Sequence, residues 1–169
     1  MPFWRINPTV NHWDLDMRQL QLLQEMPIFG GVLEQTLEFI LNHAGVIEVD
    51  KGHYFFQEDD LANSMYVLET GEVEVVRAWQ GKEYSLNHLN PGDCFGEMAL
   101  MGFRPRSASV RALQDSQAIE ITTGLFLELY DAYPQQFTLI QMNMGREVCR
   151  RLYEADTRLF IEDIKRGSG

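Results

Sequence analysis

Only two cysteines, Cys94 and Cys149, stand among 169 residues. Their number and spacing exclude a disulfide framework and a paired-cysteine metal site. Both read as buried thiols in a reducing compartment. The four histidines, His12, His43, His53 and His88, are dispersed. A metal-holding barrel of the cupin kind needs a His-x-His pair with a following glutamate, and the sequence has none. No nucleophile–base pairing stands out, so the chain reads as a non-enzyme with no metal and no cofactor. Basic residues are scarce, 14 Lys and Arg against 25 Asp and Glu, for a formal net charge of −11. A nucleic-acid surface needs clustered Lys and Arg to displace counterions, so no nucleic-acid partner is expected. The same charge disfavours an anionic membrane surface. No apolar run approaches membrane-spanning length, and the N-terminus lacks the basic and apolar regions of a signal peptide. The expected location is the cytoplasm.

What is present suits one globular domain. The hydrophobic fraction is 45% and the charged fraction 23%, ordinary values for a chain long enough to bury a core. Residues 1–12, interrupted by Pro and Asn, read as loosely structured. Asp14 is placed to cap a helix from about Leu15, which ends before Pro27. Ile28 and Phe29 anchor the turn after it, and a second helix runs from Val32 to His43. Residues 13–44 thus form a helical block. From 45 to 122 the period changes from helical to alternating. Turn signals fall at Lys51-Gly52, Gly71, Gln80-Gly81-Lys82 and Asn90-Pro91-Gly92-Asp93, the third a hairpin signature. About eight short strands between such turns imply an antiparallel jelly-roll β-barrel, in a chain of α+β class that is mainly β. Residues 123–165 return to helical spacing, first over Leu125 to Tyr133 and then over Gln135 to Lys165. On the last helix Met144, Val148, Leu152, Ala155 and Leu159 recur at helical spacing. That face either packs on the barrel or forms a seam with a second copy. Residues 166–169 form a tail.

One stretch, Phe95 to Ala112, carries chemistry. A glycine at 96 opens a short helical turn whose backbone N–H groups favour an anion. Arg106, behind Pro105, offers a fork-shaped cation suited to phosphate. Glu97 repels phosphate but accepts hydrogen bonds from hydroxyls. A ligand with an anionic end and a hydroxyl, such as a sugar phosphate, satisfies both.

The run FGE-x-AL followed by Pro-Arg-Ser-Ala-Ser-Val resembles the phosphate-binding cassette of cyclic-nucleotide-binding domains. That family includes the regulatory subunit of cyclic-AMP-dependent kinase, the catabolite activator protein and the cyclic-nucleotide-gated channels. The resemblance extends over the helices, the strand turns and the last two helices. It implies that Glu97 accepts from the ribose 2′-hydroxyl and that Arg106 pairs with the cyclic phosphate. Gly96, Met98 and Ala99 then contribute backbone donors, and Ser107 touches phosphate and base. Arg150-Arg151-Leu152 resembles a run in the catabolite activator protein, which places Leu152 and Asp156 near the base; Ala155 cannot supply a hydroxyl there. The implied function is a sensor of cyclic AMP or cyclic GMP that moves its C-terminal helices and is not an enzyme. Its signal would pass through an unidentified effector protein or a homodimer joined by the C-terminal helix. With no DNA-reading segment after that helix, a stand-alone module is expected. The other reading is a structural or protein-interaction module that keeps the barrel and binds no nucleotide.

Overall fold

The computed structural model describes residues 5–6, 17–102 and 104–167. Helix α1 (Met17–Glu25) turns Leu20 and Leu23 inward and stops before Pro27. A 3-10 turn, Pro27–Phe29, buries Ile28 and Phe29. Helix α2 (Glu34–His43) begins two residues later than its apolar spacing implies. Leu33 is extended there, and its N–H donates to Gln136 Oε1 of the last helix at 2.8 Å. A tertiary contact thus replaces the first helical turn. The Asp14 cap lies outside the described residues, as does the rest of residues 1–12 apart from Arg5–Ile6.

The described residues form nine strands, in chain order β1 (Arg5–Ile6), β2 (Gly45–Val49), β3 (Tyr54–Phe56), β4 (Ser64–Thr70), β5 (Val73–Trp79), β6 (Lys82–Leu89), β7 (Cys94–Phe95), β8 (Ser109–Ala112) and β9 (Ser116–Thr122). A short helix, α3 (Glu97–Gly102), separates β7 from β8. Helices α4 (Thr123–Ala132) and α5 (Pro134–Gly167) close the chain. Strand β1 falls in a stretch read as loose; it pairs antiparallel with β2.

The expected eight-stranded barrel is corrected to two antiparallel sheets, ordered β1-β2-β9-β4-β7 and β3-β8-β5-β6. Among the described residues no strand belongs to both. The sheets meet through side chains, with Leu68, Phe95 and Ala118 of one against Val73, Val110 and Ala112 of the other. Alternation in a sequence fixes which face of a strand is buried. It does not fix whether the edges of the sheet are joined by hydrogen bonds. The expected hairpin is present: β5 and β6 pair antiparallel from Trp79↔Lys82 to Val73↔Leu89, with a register shift between Val75 and Val76, and Gln80 and Gly81 both have positive φ.

The five-stranded sheet is covered on both faces. Tyr66 and Leu68 of β4 face the sandwich interior, while Met65 and Val67 face a second cluster built with the helices. That second cluster contains Leu23, Phe29, Leu37, Ile40, Leu129, Ile140 and Met144. Double coverage explains why β4 reads as a continuous apolar run. The outer face of the four-stranded sheet is polar. There Arg111 pairs with Glu74 and, at 2.7 Å, with Glu83. The cysteines divide: Cys94 is buried, and burial pushes its thiol up to about 12. Cys149, also expected to be buried, is exposed on α5. No helix of the described residues is long and apolar enough to cross a membrane.

Candidate ligand-binding site

The described residues of the stretch 95–112 run from β7 of one sheet through α3 to β8 of the other. Phe95 closes β7 and is buried. The chain then reverses at Gly96 with φ 83°, a conformation that favours glycine. A Cβ here would lie 2.5 Å from Arg106 Nη1, so the position also needs glycine for close approach. Glu97 starts α3 and is 2% exposed. Arg106 is clamped by its backbone: its N–H donates to the Asp60 carbonyl and its carbonyl accepts from Asp59 N–H, both at 2.9 Å.

The Arg106 guanidinium is buried and stacks on the Phe56 ring, 4.0 Å from its centroid. Nη1 donates to the Gly96 carbonyl at 3.0 Å. Nη2 donates to Ser64 Oγ at 3.4 Å. Nε is buried and, among the described residues, has no hydrogen-bond partner. Burial lowers the Arg106 pKa, and Tyr66, Asp60, Glu120 and Glu97 act the other way. A buried cationic fork with an unmet N–H is costly, and an anion would satisfy it.

Glu97 is held from the other side by Arg151 of α5, whose Nη1 donates to Glu97 Oε1 at 2.6 Å. Arg151 also donates to the Cys94 carbonyl at 3.1 Å and to Glu147 Oε1 at 2.9 Å. Burial raises the Glu97 pKa above the ordinary carboxylate range, and Arg151 offsets part of that rise. For Arg151, burial pulls downward, but Glu97, Cys94 and Glu147 prevail and raise its pKa.

Glu97 and Arg106 line one cavity of ≈ 190 Å³. Phe56, Phe95, Val75, Leu89 and Val110 give it an apolar wall, and Asn87 adds a polar group. Of the residues singled out from the sequence, Gly96, Glu97, Met98, Arg106 and Ser107 meet here. Ala99 lies in α3, with its side chain outside the described set. Leu152 and Asp156 are not brought to the cavity; both are exposed on α5. The cavity instead takes Arg151, the residue before Leu152. Sequence reasoning missed Arg151 as a lining residue. Its signal was the series Ile140, Met144, Glu147, Arg151, which continues the buried stripe of α5. Phe56, on whose ring Arg106 stacks, was missed as a lining residue too. Among the described residues no cluster of His, Cys, Asp or Glu is placed to hold a metal.

Residues 46–133 match the family model described as the cyclic nucleotide-binding domain. The chain is 32% identical over 134 residues to the cyclic AMP receptor protein of Thermus thermophilus, covering 79% of this chain and 60% of that protein. It is 34% identical over 107 residues to the cAMP-dependent protein kinase regulatory subunit of Emericella nidulans, covering 63% of this chain and 26% of that one. The crystal structure of the Thermus thermophilus catabolite activator protein superposes with a TM-score of 0.71 at 30% identity, covering 80% of this chain and 62% of that chain. The chain thus spans less than two thirds of the length of these relatives.

Proposed function

Because this chain belongs to the cyclic nucleotide-binding domain family, we propose that it is a regulatory sensor whose cavity takes a cyclic nucleotide. Cyclic AMP is the first ligand to test and cyclic GMP the second, since both relatives named above carry cyclic AMP in their names. The observation that carries this reading is the buried Arg106 fork. Among the described residues its Nε lacks a partner, and its charge faces a cavity that a buried carboxylate also lines. The cyclic phosphate pairs with Arg106, and the ribose hydroxyl donates to Glu97. The purine lies against the apolar wall. Gly96, Met98 and Ala99 supply backbone donors and Ser107 a hydroxyl, while Leu152 and Asp156 approach only if α5 moves.

Motion of α5 has a handle in Arg151. Arg151 ties α5 to the cassette through Glu97 and the Cys94 carbonyl. A ribose hydroxyl seeking Glu97 competes with Arg151 or shares the carboxylate with it. Either outcome changes the energy of α5 against the cassette, and the shift is bounded by the ligand's differential affinity for the two positions. The signal leaves through an effector protein or through a homodimer made by α5. The chain itself neither turns the nucleotide over nor binds DNA, and it acts in the cytoplasm.

Titration calorimetry with cyclic AMP, cyclic GMP and 5′-AMP tests this. Saturable heat with a cyclic nucleotide, tighter than with 5′-AMP, is expected, because a nearby carboxylate penalises the more highly charged monophosphate more. No heat and no thermal shift at millimolar ligand would favour a module that keeps the fold and binds no nucleotide.

A further inference from the structure

Arg106 is also contacted from behind the cavity. Its Nη2 donates to Ser64 Oγ at 3.4 Å, Ser64 Oγ donates to Tyr66 Oη at 3.0 Å, and Tyr66 Oη donates to Glu120 Oε1 at 3.1 Å. Every hydroxyl passes its hydrogen the same way, from guanidinium toward carboxylate. Aligned chains of this kind strengthen one another where the dielectric is low. The middle of this one is dry: Ser64 is 1% exposed and Tyr66 8%. Three separate strand positions build it. Ser64 and Tyr66 are two apart on β4 and so share a face, and Tyr66 stands opposite Glu120 of β9 in register. The Tyr66 ring is fixed as well, stacked on Phe95 at 5.2 Å and on Phe56 at 5.9 Å.

The chain has work to do at Arg106. Among the described residues no direct ion pair engages this guanidinium, although it is buried. Glu120 is one of the charges that favour its cationic form. Its planar fork must also be aimed: the stack on Phe56 restrains tilt, and rotation within the ring plane is fixed by two contacts, Nη1 on the Gly96 carbonyl and Nη2 on Ser64 Oγ.

We propose that Glu120, acting through Tyr66 and Ser64, is the positioning group for Arg106. It aims the guanidinium at the cavity before any ligand arrives. The consequence for affinity rests on the proposed function above, whereas the aiming is a property of the ligand-free protein.

Two readouts test it on the full chain. The first is the guanidinium NMR spectrum of ligand-free protein labelled with ¹⁵N arginine, with Arg106 identified by its loss in Arg106→Lys. Wild type should show separate, slowly exchanging Nη signals for Arg106. In Tyr66→Phe, which keeps the ring stack and removes only Oη, they should merge. Glu120→Ala should merge them too, and Glu120→Gln, which keeps an acceptor for Tyr66, should restore them. The second readout is cyclic AMP affinity, expected to fall about two- to tenfold in Tyr66→Phe and Glu120→Ala and to recover in Glu120→Gln. Unchanged Arg106 signals in both Tyr66→Phe and Glu120→Ala, with both variants melting cooperatively, would overturn the proposal. A loss in Glu120→Ala that Glu120→Gln does not restore would overturn it as well. A wild-type protein that takes up no cyclic nucleotide would overturn the proposed function instead and leave the spectra to decide the positioning role.

Discussion

At Glu97 and Arg106, function and stability pull apart. Replacing Arg106 by Ala removes a charge-assisted bond worth about 1.5–3 kcal/mol. Affinity for the cyclic nucleotide should therefore fall about ten- to a hundredfold by calorimetry. Glu97→Gln behaves differently. Burial raises the Glu97 pKa, so the folded protein holds the proton more tightly than the unfolded chain. Stability then falls as pH rises through that window. A neutral amide at this position carries no such cost, and Arg151 keeps its bond to Glu147. The variant should match wild type in thermal unfolding at about pH 4 and melt higher at about pH 7, while losing nucleotide affinity. A variant less stable than wild type at neutral pH would contradict this. Both residues were legible in the sequence because the cassette fixes their spacing within one loop. Arg151 was not. One step along a helix turns a side chain by about 100°, so matching a run of three residues left open which of them faces inward. The structure turns Arg151 to the cavity and Leu152 to solvent. Ser64 and Tyr66 escaped notice because nothing in a linear reading distinguishes a hydroxyl in a chain of bonds from one merely buried.

Among the elements, α5 divides by length. Its first half is anchored by Ile140 and Met144, both essentially inaccessible to solvent. Ile140→Ala should lower unfolding free energy by about 2–5 kcal/mol, as read by urea denaturation, and loosen α5 against α4 and the turn at Pro27–Phe29. A loss below about 1 kcal/mol would mean that the site collapses around the missing atoms. The sequence showed the length of α5, since Pro134 opens it and no proline interrupts it. The division into a packed and an exposed half was not visible, because Leu152 and Leu159 continue the spacing of Met144, yet both are 60% exposed. Strand β4 was harder to read for the opposite reason. With a core on each side it shows no alternation, and its period alone could not say what covers it.

At the scale of the whole molecule, the outer half of α5 exposes Leu152, Tyr153, Leu159 and Phe160. This apolar length is what the proposed homodimer would bury. Sedimentation should give a dimer for wild type and a monomer for the double variant Leu159→Glu, Phe160→Glu, with the melting temperature of the domain little changed. A monomeric wild type would remove the homodimer from the proposed function and leave an effector protein as the route for the signal. The layer order was legible from the change of period near residues 45 and 123, but the way the sheets meet was not, because it depends on contacts between strands far apart in sequence. Those contacts have one more consequence. The two hydrophobic clusters lie back to back across a single sheet, so the helices can peel from one side without wetting the other. Deuterium should enter the amides of α4 and α5 well before those of β5 and β8, and bound nucleotide should lengthen the protection of the helical amides more than that of the strands.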